Sequence, residues 1–173
     1  MAYVLVACQV LLGVVFAVSA MTKPVGWKAF VSSLRSLRLL PGGRGAAAAA
    51  AAVVVAEAVC VGAVAVWPRP GFALVVLMLV AFTGAVALSL RRGIRSPCRC
   101  FGASTTPLGR VHLVRNTLLG AVALTGWGVA SPQAGTTTVA GAAVAVLAGV
   151  AGAVVLIALD DLVVLFAEPV RSA

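Results

Sequence analysis

Residues 45–67 read GAAAAAAAVVVAEAVCVGAVAVW. The run exceeds the roughly 20 residues that a helix needs to cross a bilayer, and it carries one carboxylate, Glu57, and one thiol, Cys60. In lipid only helices and closed barrels satisfy the backbone, and an unbroken Ala/Val run lacks the in–out alternation of a barrel strand. Outward from it lie four further apolar stretches, 3–21, 70–90, 111–130 and 137–159. The 173 residues are 62% hydrophobic and 10% charged, with a mean hydropathy of +1.16. A soluble domain of that balance would need an apolar surface. The fold class predicted is all-α, an integral membrane helical bundle with five spans.

A net charge of +9 invites nucleic acid as a partner, but the positions of the cations argue otherwise. Lys23, Lys28, Arg35, Arg38 and Arg44 follow the first span. Arg91, Arg92, Arg95, Arg99, Arg110 and Arg115 lie around the connection between the third and fourth. Only Arg69 falls on the opposite side. Short loops rich in Lys and Arg stay cytoplasmic, so the expected topology has the N-terminus outside, and the C-terminus and the 91–116 loop inside. Anionic lipid is then the natural counter-charge, and no nucleic-acid partner is expected. Leu5-Val6-Ala7-Cys8 and Ala17-Val18-Ser19-Ala20 imitate cleavage sites, but no basic segment precedes either. Residues 3–21 therefore read as a retained span.

Between spans one and two, Trp27, Phe30, Val31, Leu34, Leu37 and Leu40 recur at helical spacing. This fits either a short interfacial helix ended by Pro41-Gly42-Gly43 or an extension of a neighbouring span. Trp67-Pro68-Arg69-Pro70-Gly71 is a tight external turn, which makes spans two and three antiparallel neighbours. In the fifth span Gly141, Ala145, Gly149 and Ala153 form a small-residue stripe, a face suited to a homo-oligomer. Asp160 and Asp161 are expected to end that span.

Chemistry concentrates in residues 96–102, SPCRCFG. Cys98 and Cys100 flank Arg99, with Arg91, Arg92 and Arg95 close behind. The thiolate is the reactive form of cysteine and neighbouring cations favour it, while a Cys-x-Cys disulfide closes a small, strained and easily reduced ring. Phe101-Gly102 reads as a turn anchored by an aromatic. These features favour reversible thiol–disulfide exchange, and hence a thiol–disulfide oxidoreductase. Structural zinc wants four ligands, and Cys98, Cys100 and His112 supply three; His112 reads as a surface residue. A purely structural disulfide is disfavoured in a reducing cytoplasm.

Cys8 and Cys60 sit at similar expected depths in spans one and two, and form a candidate second redox pair; alternatively each is a small buried hydrophobe. Glu57 lies three residues before Cys60 on the same helical face. A carboxylate inside a span is costly and usually serves a functional interior. It either takes a proton during thiol or quinone chemistry, or pairs with a cation, Arg115 and Lys23 being the candidates.

The series Lys23, Pro41, Glu57, Cys98-Arg99-Cys100-Phe101-Gly102 and Arg115-Asn116 resembles the methylamine-utilisation MauE family, small membrane proteins related to the DoxX-like proteins. The resemblance covers residues 1–130 and implies a four-helix membrane domain there; residues 131–173 then add a C-terminal span and a short tail. It implies a redox-associated protein of the bacterial cytoplasmic membrane working beside a thioredoxin-like partner in the maturation of a disulfide-bonded target. Cys98 and Cys100 become the exchanging thiols, with Phe101, Gly102, Glu57, Arg115 and Asn116 in support. No bound cofactor or metal is implied, although a membrane quinone remains open as an electron acceptor.

An export-side role sets the reactive pair outside, whereas the charge count sets it inside. Either electrons cross through Cys8 and Cys60, or the loop folds back to meet a quinone or membrane partner; the charge asymmetry favours the first. A non-catalytic scaffold docking a redox or metallo-partner is the alternative of a different class, and a transporter has only Glu57 in its favour.

Overall fold

Long runs of Ala, Val and Leu without proline or paired glycines make helices wherever lipid denies the backbone other partners, and the computed structural model is built accordingly. It describes residues 1–36, 45–93, 110–130 and 137–167. The helices are α1 (Ala2–Val25), α2 (Trp27–Ser36), α3 (Gly45–Val66), α4 (Pro68–Arg91), α5 (Arg110–Val129) and α6 (Val139–Ala167), with no strand among the described residues.

Helices α1, α3, α4 and α5 close a ring, each packed on the next, and α6 lies outside it against α1. Gln9 Nε2 donates to the Val64 carbonyl at 2.8 Å and Ser19 Oγ to Glu57 Oε1 at 2.9 Å, which sets α1 and α3 antiparallel. A rising register (Tyr3 on Gly141, Leu11 on Gly152) sets α6 parallel to α1. With α3, α4 and α5 alternating between them, this pairing requires α5 to traverse the bundle.

Four helices are long and apolar enough to cross a membrane: α1, α3, α4 and residues Val139–Leu159 of α6. Of the five expected spans, α5 falls short of that apolarity. The cause is visible in its first turns, where His112, Arg115 and Asn116 are buried inside the bundle rather than facing outward. His112, expected at the surface, is 3% exposed. It shares one helical stripe with Arg115, Asn116, Leu119 and Ala123, and the lower members of that stripe are core.

The first connection forms a helix of its own. Gly26 separates α1 from α2, and Phe30 and Val31 of α2 pack on Ala46 and Ala50 at the start of α3 while Lys28 and Arg35 stay exposed. Leu37, Leu40 and Pro41 lie outside the described residues. At the opposite end only Trp67 separates α3 from α4. Pro68 and Pro70 fall in the first turn of α4, where no helical N–H is needed. Gly71 passes so close to α3 that a Cβ would stand 2.5 Å from the Ala63 carbonyl carbon. The expected antiparallel neighbours are thus held by a glycine.

One sequence expectation for the last helix changes. The stripe offered to a second copy is taken by α1 of the same chain: Gly141 sits on the Tyr3 ring, Gly149 on the Ala7 carbonyl and Val10, and Ala145 and Ala153 are buried. Small residues allow close approach whichever helix supplies the partner, and here it is intramolecular. The span ends at Leu159, just before Asp160 and Asp161 as expected, while helix α6 itself runs on to Ala167. Carboxylates lower helix propensity only modestly, so a helix need not end where the apolar layer does.

Candidate functional site

The interior of the ring divides into two layers. Toward the α3–α4 turn it is apolar, with Leu12, Phe16, Val64, Phe72, Val75, Leu119 and Ala123 in one cluster. Toward the other end it is polar, and Ser19, Lys23, Glu57, Ser89, His112, Arg115 and Asn116 are all buried there.

At the centre of the polar layer Lys23 forms an ion pair with Glu57, their side chains 1% and 0% exposed. Ser19, one turn before Lys23 on α1, joins the two: its Oγ accepts from Lys23 Nζ at 2.6 Å and donates to Glu57 Oε1 at 2.9 Å. The ammonium also faces two aromatic rings, Phe30 of α2 at 5.4 Å and Phe82 of α4 at 5.7 Å. Such faces attract a cation, and more strongly when it is desolvated. Arg115, 1% exposed on α5, adds a second positive charge within electrostatic reach of Lys23. Every helix from α1 to α5 contributes to this layer. The carboxylate has one occupied oxygen, while Glu57 Oε2 is buried with no hydrogen-bond partner among the described residues.

Of the two cations proposed as partners for Glu57, the structure selects Lys23. The sequence places Lys23 just beyond the first span, yet α1 continues through it to Val25 and turns it inward. Its buried position was legible in the spacing of Leu12, Val15, Phe16, Ser19 and Lys23, which lie on one face of a helix. The same correction touches the charge argument. Lys23 and Arg115 are interior, so the cations on the basic side fall from eleven to nine (11 − 2), against the single Arg69. The asymmetry keeps its sign.

Asn116, also expected as a supporting residue, is 3% exposed and donates from Nδ2 to Thr83 Oγ1 of α4 at 3.3 Å. Cys60 lies a turn from Glu57 on the same face of α3 and within its electrostatic reach. Cys8 and Cys60 are both buried free thiols of the apolar cluster. The register fixed by Gln9–Val64 and Ser19–Glu57 offsets them by about six residues, or roughly 10 Å along the bundle. Direct exchange between them therefore requires the helices to slide by almost two turns. Cys98, Cys100, Phe101 and Gly102 lie outside the described residues. The residues that sequence reasoning missed are Ser19, Phe30, Phe82, Thr83 and Ser89, all unremarkable alone and placed by helical periodicity.

Fold and site together define a multi-pass helical membrane protein with a buried, charged interior. A family model, Methylamine utilisation protein MauE, matches residues 1–130. The chain belongs to the MauE family, whose matched segment ends where the α1–α5 ring ends. No curated protein and no solved structure matches the chain.

Proposed function

We propose that the protein is a thiol–disulfide relay of the bacterial cytoplasmic membrane, serving the maturation of a disulfide-bonded target beside a thioredoxin-like partner. The observation that carries this reading is the polarity of the bundle. The chain leaves α4 at Arg92 and Gly93, a few positions before Cys98, at the end nearer the Lys23–Glu57 pair, and re-enters at Arg110 just before buried His112 and Arg115. The Cys-x-Cys segment thus springs from the charged end.

In the exchange, a partner thiolate attacks one sulfur of the Cys98–Cys100 disulfide and forms a mixed disulfide while the other cysteine leaves as thiolate. The partner's second thiol attacks the mixed bond. The partner ends as a disulfide and Cys98 and Cys100 as two thiols, with two electrons and two protons transferred. The Lys23–Glu57 pair, joined by Ser19, holds α1 and α3 in fixed register. The inner side of the membrane is favoured by the nine cations that remain there.

The test uses purified full-length protein. Incubation of oxidised protein with a reduced thioredoxin carrying only its attacking cysteine should trap a mixed disulfide at Cys98 or Cys100, lost in Cys98→Ser/Cys100→Ser. A membrane-impermeant maleimide should label both cysteines in opened but not in intact cells. No mixed disulfide, with tight partner binding kept by the double variant, turns the reading to the scaffold. Labelling in intact cells moves the pair to the export side.

A further inference from the structure

Helix α2 has two dissimilar sides. Phe30, Val31 and Leu34 pack with Ala46, Ala47 and Ala50 of α3. Lys28, Ser32 and Arg35, spaced by four and then three residues, fall on one stripe of the helix away from that contact, and all three are exposed. Just before the stripe the chain is apolar and equally open. Val25 and Met21, a turn apart at the end of α1, are 91% and 72% exposed, and Trp27 at the start of α2 is 36% exposed. Helices α1 and α2 carry no carboxylate: the first in the sequence is Glu57, which is buried on Lys23.

From this placement we infer that α2 is a binding site for an anionic phospholipid, its phosphate against Lys28, Ser32 and Arg35 and its acyl chains along Met21, Val25 and Trp27. Depth supports the class of ligand. Helix α3 is 22 residues long, about 33 Å, and so matches a hydrocarbon core of about 30 Å. Ala46 to Ala50, where α2 packs, lie within about 8 Å of its end. Helix α2 therefore lies where acyl chains meet headgroups. Lys and Arg there lay their stems on apolar surface and send the charge outward, and a serine hydroxyl between them adds a donor for a phosphate oxygen. An acidic peptide in solution would satisfy the cations but leave Val25 and Met21 in water, at a cost set by their apolar area. A zwitterionic lipid brings its own cation to the phosphate. A lipid of net negative charge satisfies both halves of the surface.

The inference stands apart from the thiol relay and from the side of the membrane on which α2 lies. Its test uses the full chain with Trp67→Phe and Trp127→Phe, which leaves Trp27 as the sole tryptophan. The protein in phosphatidylcholine vesicles is titrated with phosphatidylglycerol brominated on its acyl chains, and separately with equally brominated phosphatidylcholine. Bromine quenches a tryptophan that it touches. Brominated phosphatidylglycerol should quench Trp27 with about fivefold or more higher apparent affinity, the contribution of one interfacial cation, and rising salt should weaken that preference. Lys28→Gln/Arg35→Gln should erase the preference while the melting temperature holds, since both side chains are exposed. Arg91→Gln/Arg92→Gln removes the same charge from the same end of the bundle and should leave the preference intact. Equal quenching by the two lipids overturns the inference and leaves the stripe to an acidic protein surface. Preference kept in Lys28→Gln/Arg35→Gln overturns it as well. So does an equal loss in Arg91→Gln/Arg92→Gln, because the charge then acts at a distance and not at the stripe.

Discussion

Removing the Lys23 ammonium while Glu57 stays in place strands a carboxylate that is wholly buried. Breaking one side of a buried pair costs about 3–5 kcal/mol, whereas replacing both partners by apolar residues of similar volume is often neutral or stabilising. Lys23→Met should therefore be strongly destabilising, and Lys23→Met/Glu57→Leu much closer to the parent. Denaturant unfolding in mixed micelles, arranged as a double-mutant cycle, measures the coupling, and additive effects would remove the pair from any structural role. At this scale Glu57 was legible as an intramembrane carboxylate, and its partner was narrowed to Lys23 or Arg115. The choice between them was not legible from hydropathy, because the apolar run before Lys23 fades two residues early and a lysine after a span reads as a cytoplasmic flank. His112 failed for the same reason in reverse: a helix that begins with polar residues resembles a loop until its buried stripe is counted.

Helix packing in lipid depends on close approach rather than on hydrophobic expulsion, so glycines at contacts should dominate the energetics of the elements. Gly126 on α5 faces the Phe72 ring, and a Cβ there would stand 2.4 Å from Phe72 Cζ. The ring is fully buried and has little room to yield. Gly126→Ala should cost about 1–3 kcal/mol as an overpacking substitution. Gly13→Ala on α1, where the new Cβ meets nothing within 4 Å, should leave stability unchanged or slightly raised. Thermal melts of the two variants share the helix-propensity gain, so their difference reports the Phe72 contact. The small-residue stripe of α6 was plain in the sequence, but whether it met a second copy or its own chain was not. A stripe specifies close approach and leaves the partner to the length and direction of the connections.

For the molecule as a whole, the ring of α1, α3, α4 and α5 is closed without α6, and the family match ends with it at residue 130. A chain of residues 1–130 should fold by itself in micelles, because lipid tails replace α6 against Ala7, Val10 and Leu11 with little loss. The Lys23/Glu57 cycle repeated in that chain checks the point: retained coupling marks an autonomous ring, and lost coupling makes α6 part of it. Four of the five expected spans were readable from hydropathy alone, whereas α5 fell short of that apolarity and α2 was one of two open readings. The division of the interior into an apolar and a charged layer was not readable, since it arises from which faces of four separate helices converge.

That charged layer bears on how the protein is made. An arginine at the centre of an inserting helix costs about 2.5–3.5 kcal/mol on the insertion scale, and α5 brings Arg115, His112 and Asn116 together. Such a segment leaves the translocation channel poorly as a single helix facing bare lipid. The order of synthesis resolves this, because α1, α3 and α4 precede it and carry Ser19, Glu57 and Thr83. When α5 emerges, polar company is already in the membrane. The chain builds its receptor for the most reluctant helix before that helix is translated.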